Sequence, residues 1–385
     1  MKKSNAFLGL NYSKVMPIVF VLTLFILSLT VVYCSSGDLK DPNIILISID
    51  DLRADHLGCY GYSRDTSPNT DSFARKNILF TKCYVPQAWT LTSHISMLTS
   101  LYPITHGVDM SHILDSAIVT LAEILKNEDY ITMGFASGGV WTDAKYGFGR
   151  GFKIYYSGKS EESAEDKSAL IRKHLETHKG EKLFLFIHYF DVHSGFSKLP
   201  YDAPPPFNNL FSHKYHGDFQ GGVGTTFASE YLKYVNMHNL TLEKKDLDYI
   251  ISLYDNGIAY MDKCIGDLFD MLKKMDLFDN SLIIITADHG EEFQEHGYML
   301  HSNPYYYEEI MHVPLVVKLP QAGDTFKSSK KGKVINSLVE SIDIMPTILD
   351  LLGIKGPKMQ GKGLIGLIKG DEKGKEYIFP KEVFL

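Results

Sequence analysis

The chain has 385 residues, of which 44% are hydrophobic and 22% charged, with a net charge of −7. That is the composition of a folded protein long enough for one large α/β domain with at most a small appendage. Its 39 Lys and Arg residues form no long basic run, which argues against nucleic-acid binding, since that needs clustered cations to displace counterions. Cys34, Cys59, Cys83 and Cys264 are spaced too irregularly for a zinc knuckle or a disulfide framework and read as isolated thiols.

Residues 1–14 are a basic segment containing Lys2, Lys3 and Lys14, and residues 15–33 are an uncharged apolar run. As a helix this run would span about 28 Å, close to the thickness of a bilayer core. The lysines precede it while Asp38, Lys40 and Asp41 follow, which predicts an N-terminus inside and the folded part on the extracytoplasmic side of a membrane. A retained transmembrane anchor is the first reading. A lipoprotein signal with Cys34 as the lipidated residue is the second, opposed by the bulk of Tyr33. A cleaved secretory signal is the third, opposed by the lack of a small-x-small site. Residues 34–41 read as a linker.

Residues 43–49 form a near-continuous apolar run, the pattern of a strand buried on both faces of a parallel sheet. Residues 183–187, 281–286 and 313–317 read the same way, and residues 131–135 more weakly. Helical patterns alternate with them. Residues 120–127 are short and amphipathic, and residues 247–275 place Ile250, Leu253, Ile258, Met261, Ile265, Leu268 and Leu272 on one stripe. Residues 342–352 form another helix, stopped by Gly353. The alternation predicts an α/β fold, a doubly wound and mostly parallel sheet flanked by helices. Residues 195–237, rich in Pro, Gly, Phe and Asn, read as a long irregular insertion near a substrate entrance. Tyr201, Phe207 and Phe211 within it read as packing residues before sugar-stacking ones.

Ligands of open parallel sheets bind at the carboxyl ends of the strands. Polar groups recur there: Asp50 and Asp51 after the first strand, His188, Asp191 and His193 after residues 183–187, Asp288, His289 and Gly290 after residues 281–286. Either acidic group alone reads as a helix cap or a turn. Together, adjacent carboxylates that would otherwise repel predict a divalent metal site. Thr90 precedes a helical stretch at residues 95–101, so it sits near a helix N-terminus that favours an anion. The plainer reading is an N-cap threonine. His94, one turn further on, is expected to face the same anion.

These segments resemble the sulfatase family of the alkaline phosphatase superfamily. The resemblance rests on residues 43–58 (NIILISIDDLRADHLG), 67–71 (SPNTD), 96–108 (SMLTSLYPITHGV), 188–193 (HYFDVH), 286–292 (TADHGEE), 295–297 (EHG), 307–315 and 343–347 (DIMPT), in that order. It covers residues 42–370, the expected catalytic domain, and leaves residues 371–385 as a short C-terminal remnant where family members usually continue into a smaller antiparallel sheet. It implies a metal held by Asp50, Asp51, Asp288 and His289 and touching Thr90. It also implies that His193 contacts the substrate or helps the leaving group, and that His301 lies near the place of a substrate-binding lysine.

The pattern breaks at the nucleophile. Family members mature a cysteine or serine in C-x-P-x-R to formylglycine, whereas this chain reads Thr90-Leu91-Thr92-Ser93-His94. No Gly-Lys-x-His element follows residues 131–135; residues 142–151 occupy that region. A formylglycine hydrate expels sulfate through its second hydroxyl. Threonine has one hydroxyl, so its adduct must be released by attack at sulfur or phosphorus, as in similar enzymes with threonine nucleophiles. His289 stands where calcium-binding members carry an Asn, and its imidazole favours zinc or manganese, with calcium the alternative. Whether His296 or His301 helps hold a second ion is left open. The expected partners are an anionic ester, from a glycan or a lipid headgroup, and the membrane; the oligomeric state is not legible. Two other readings stay beside the threonine enzyme: a sulfatase working without formylglycine, and an inactive binding member of the family.

Overall fold

The computed structural model describes residues 42–159, 162–195, 199, 201–217, 219, 228–301, 306–321 and 332–378. The anchor, the signal readings, Cys34 and the linker all lie outside them. Eight strands form one sheet, taken in chain order as β1 (Asn43–Ile49), β2 (Ile78–Tyr84), β3 (Ile131–Ala136), β4 (Ile154–Ser157), β5 (Leu183–Tyr189), β6 (Ser281–Ala287), β7 (His312–Lys318) and β8 (Lys333–Glu340). Their spatial order is β4-β3-β5-β1-β6-β7-β2-β8. The helices that matter below are α1 (Pro68–Lys76), α2 (Thr90–Thr99), α3 (Leu121–Asn127), α4 (Ala164–Thr177), α5 (Ala228–Met237), α6 (Lys244–Lys274) and α7 (Ile344–Leu352).

The all-apolar runs became the centre of the sheet because both of their faces are covered. Every residue of β1, β5 and β6 is buried. Each large aliphatic side chain so enclosed contributes roughly 1.5–3 kcal/mol over an exposed one. β1 pairs in parallel with both β5 and β6. One expectation is corrected: β7, which has the same apolar pattern, runs antiparallel to β6 and to β2. A doubly buried strand is apolar whichever way it runs, so the pattern carries no direction.

α3 begins at Thr120 with a reciprocal cap, in which the Thr120 side chain accepts from the Glu123 amide and the Glu123 side chain from the Thr120 amide. α7 ends at Gly353, whose φ of 66° is a conformation that suits glycine. The region expected to be an irregular insertion is part helix, α5, and part core. Tyr201 is fully buried, edge-on to Tyr254 and Phe293. Phe207 packs beside Tyr260, and Phe211 lies under the Arg64 guanidinium. Among the described residues no helix is long and apolar enough to cross a membrane.

Candidate active site and metal centre

Register builds the site. Ile49 pairs with Tyr189 on one side and with Ala287 on the other, so Asp50 and Asp288 leave the sheet side by side. The chain then turns sharply, and Asp51 adopts a left-handed φ of 58°. A buried tyrosine of α6 pins this turn: the Tyr254 hydroxyl donates to the Asp51 carbonyl at 2.6 Å and accepts from the Arg53 amide at 2.9 Å. Gly290 is required by close approach, because a Cβ there would lie 2.1 Å from the Glu309 carbonyl oxygen. α2 docks over the β6 end through the Ser93 hydroxyl, which donates to the Asp288 carbonyl at 2.6 Å.

Thr90 is the first residue of α2, and the capping position belongs to Trp89, which makes no side-chain cap. The N-cap reading of Thr90 is therefore replaced. Its hydroxyl faces His289 Nε2 at 3.2 Å. His289 Nδ1 donates to the Gly290 carbonyl at 3.2 Å, which leaves the Nε2 lone pair toward Thr90. Around that lone pair stand Asp288 Oδ2 at 3.4 Å and Asp50 Oδ1 at 3.6 Å. Both Asp50 oxygens and Asp288 Oδ2 are buried without a hydrogen bond. Lone pairs facing one another at 3.2–3.6 Å fit the edges of a coordination shell with bonds of about 2.0–2.1 Å. The residues Asp50, Thr90, Asp288 and His289 thus fit a divalent metal.

Asp51 is placed differently from the expected shared ligand set. It lies on the opposite edge of the His289 ring, with Oδ1 2.9 Å from Nδ1. His301 Nδ1 is 3.0 Å from the same oxygen, and His193 Nε2 is 3.8 Å from Asp51 Oδ2. Burial pushes Asp51 up, but His301 and His193 outweigh it and hold the carboxyl well below its ordinary range. Asp50 is raised, by burial first and by the Asp51 charge second. Two adjacent buried carboxylates repel each other, a repulsion that a cation between them would relieve.

The expectation that His94 faces the anion is corrected. On a helix the side chain leans back over the preceding turn, so His94 Nδ1 donates to the Thr90 carbonyl at 2.8 Å and Nε2 accepts from the Ser48 hydroxyl at 2.9 Å. The ring is fully buried, and burial drives it down to about 3. It is a neutral strut beneath Thr90. His296 is at the surface, bonded to Glu309 at 3.0 Å and stacked on Tyr307.

Two neighbours, Lys167 and Glu291, were missed by residue-level reading, while His188 was named at its strand end without a role. His188 points Nε2 at Asp50 Oδ2, 3.3 Å away, and its Nδ1 donates to the Ser137 carbonyl at 2.9 Å. The buried Lys167 of α4 donates to the Ser137 hydroxyl and the His188 carbonyl, and burial lowers it to about 8. Glu291 is wholly buried beside His301. The Asp-His-Gly-Glu segment was a signal for it; nothing local marked Lys167, which arrives from a distant helix. Trp89, directly before Thr90 in the chain, meets Trp141 edge to face at 5.6 Å.

The pattern of the family described as Sulfatase matches residues 42–354. In sequence the chain is similar to human iduronate 2-sulfatase, 25% identical over 398 residues that cover 82% of this chain and 70% of that protein. It is also similar to the N-acetylglucosamine-6-O-sulfatase of Bacteroides thetaiotaomicron, 23% identical and covering 87% and 72% of the two chains. Its fold is similar to that of the phosphonate monoester hydrolase of Agrobacterium radiobacter, with a TM-score of 0.65, 21% identity, and 86% and 78% of the chains covered. With the family pattern spanning most of the chain and ligand-type side chains gathered at the strand ends, the protein belongs to the sulfatase family and is an ester hydrolase of the alkaline phosphatase superfamily.

Proposed function

We propose that the protein hydrolyses or transfers a phosphate ester through a Thr90 nucleophile, as an extracytoplasmic enzyme tethered to the membrane by residues 15–33. The observation that carries the reading is the Thr90 hydroxyl at the start of α2, 3.2 Å from His289 Nε2. A divalent metal held by Asp50, Thr90, Asp288 and His289 would lower the hydroxyl's pKa and stabilise charge on the ester's non-bridging oxygens. Zinc or manganese suits the imidazole of His289 better than calcium does.

The chain's own residues supply the rest. The first amide groups of α2 have no acceptor within the helix and favour the anionic ester. His94 fixes the Thr90 carbonyl from below, and so orients the hydroxyl. His193 carries its lone pair on Nε2, because Nδ1 donates to the Ser194 carbonyl at 2.8 Å. It is partly exposed, with 16% of its side chain accessible, and is the residue to meet the leaving group. Trp89 and Trp141 offer apolar surface for the carbon skeleton of the substrate, for which a sugar ring or a lipid headgroup is suited.

A second reading, sulfate-ester hydrolysis without formylglycine, is favoured by the two relatives named as sulfatases of sugars. The single hydroxyl of threonine opposes it, because release then needs attack at sulfur and not elimination. Turnover of aryl sulfates, aryl phosphate monoesters and aryl phosphodiesters, each with zinc, manganese and calcium, separates the two. Phosphate-ester turnover well above sulfate turnover is expected; the reverse order overturns the proposal.

A further inference from the structure

We propose that Lys167, buried in α4 behind His188, is a specificity-determining residue whose fixed positive charge adapts the site to a doubly charged phosphate monoester over a singly charged diester. This rests on the phosphate-ester reading above and names its substrate class. α4 docks its first turn on the end of β5, where the Ala164 amide donates to Asp191 Oδ1 at 2.9 Å. Three residues on, Lys167 sends its ammonium inward to the Ser137 hydroxyl and the His188 carbonyl. Those residues stand side by side at the ends of β3 and β5, since Ala136 pairs with His188 and the Ser137 amide donates to the His188 carbonyl at 3.3 Å.

Neither contact explains why the residue is charged. Lys167 is 0% exposed, and an ammonium is costly to bury unless negative charge answers it. Both of its acceptors are neutral oxygens, and among the described residues no carboxylate forms an ion pair with it. Burial works against the ammonium and brings it to about 8, so it is charged at neutral pH, while Asp191, Glu162 and Asp50 favour it in that order. Asp191 is not a contact counterion. Its Oδ1 serves the α4 amide, and its Oδ2 is buried without a hydrogen bond.

Asp50 carries the influence of the charge into the active site. His188 Nε2 lies 3.3 Å from Asp50 Oδ2, Asp50 Oδ1 lies 3.6 Å from His289 Nε2, and that nitrogen faces the Thr90 hydroxyl at 3.2 Å. Lys167, His188, Asp50 and His289 are all 0% exposed, and in such a dry row a charge is screened far less than in water. One divalent ion is balanced by Asp50 and Asp288, and Asp51 is faced by His289, His193 and His301. The ammonium is additional to that balance, and an ester with two negative charges gains about twice as much from it as an ester with one. Lys318 shows what a buried lysine does as architecture alone. At the other end of the sheet it donates to the carbonyls of Asp279, Ser281 and Leu319, one for each N–H.

The test compares two esters with the same leaving group, 4-nitrophenyl phosphate and methyl 4-nitrophenyl phosphate. They carry two and one negative charges at pH about 7, above the second ionisation of a phosphate monoester near 6. The full-length, zinc-loaded protein is assayed for kcat/KM on both. Wild type is expected to favour the monoester. Lys167→Met should lose about tenfold more on the monoester than on the diester, and Lys167→Gln, which keeps N–H donors without the charge, should do the same. Lys318→Met should leave the ratio of the two esters unchanged. Equal losses on both esters in Lys167→Met overturn the inference and leave the Thr90 reading intact, as do a wild-type ratio in Lys167→Gln, a shifted ratio in Lys318→Met, or a wild type that favours the diester. A wild type that turns over neither ester with zinc, manganese or calcium overturns both. Should Lys167→Met fail to fold, Lys167→Gln carries the same comparison.

Discussion

Two buried acidic clusters sit on the same sheet and solve the same electrostatic problem differently. At the end of β8, Glu340 and Asp343 are both 1% exposed or less. They are answered from within the chain: Lys375 Nζ reaches Glu340 at 2.5 Å and Asp343 at 2.7 Å. The Tyr102 hydroxyl donates to Glu340, and the Lys362 amide to Asp343. At the ends of β1 and β6, by contrast, the oxygens of Asp50, Asp51 and Glu291 have no aligned donor. A buried carboxylate cluster with its own cation is architecture. The second cluster has imidazoles, and no lysine or arginine, as its ion-pair partners among the described residues.

The comparison breaks most severely at Thr90. Thr90→Ala is expected to lower kcat on the best phosphate ester by about a thousandfold or more, measured under saturating substrate, while the thermal unfolding of the metal-loaded protein hardly moves. Retention of full activity would exclude Thr90 as nucleophile. Metal removal comes next. Chelation should abolish turnover and lower stability by about 3 kcal/mol relative to protein held at a hundredfold excess of zinc over its Kd, read by denaturant unfolding with and without zinc. An unchanged midpoint would show that the β1–β6 cluster needs no ion.

Lys375→Met probes the other cluster and should destabilise the fold by about 3 kcal/mol, since it strands two buried carboxylates. This loss should be the same with and without zinc. Burial lowers the Lys375 ammonium, but Asp343 and Glu340 outweigh it and hold it above its ordinary value of 10.5. The sign follows: its stabilisation is fully present below 10.5 and is lost as pH rises through the higher folded value. Wild type and Lys375→Met should therefore converge in stability at strongly alkaline pH, and a constant gap there would refute the pairing. The smallest effect belongs to the rim. Trp141→Ala should raise KM several-fold, about 1 kcal/mol, with kcat little altered; a fall in kcat alone would remove the tryptophans from substrate binding.

Much of the site was legible because strand ends are local. An apolar run such as residues 43–49 must be a buried strand, and the two aspartates after it must then emerge at the sheet edge. The same holds for Asp288 and His289 after β6. Three strands escaped notice, β2, β4 and β8, because their exposed positions break the apolar run. The antiparallel direction of β7 escaped for the opposite reason, since an unbroken run looks alike from either end.

By itself, then, the sequence determined the strand–helix alternation, the ligand types at the strand ends, and a threonine just ahead of a helix. Only the tertiary structure decided which of those side chains meet. Asp50 and Asp51 are neighbours in the chain, yet the left-handed turn at Asp51, pinned by Tyr254 from a helix 203 residues away, sends them to opposite edges of one histidine ring. It also turned His94 inward, set His301 beside Asp51 and left His296 bonded to Glu309. Side-chain direction at a turn depends on what packs against it, and those contacts come from residues remote in sequence.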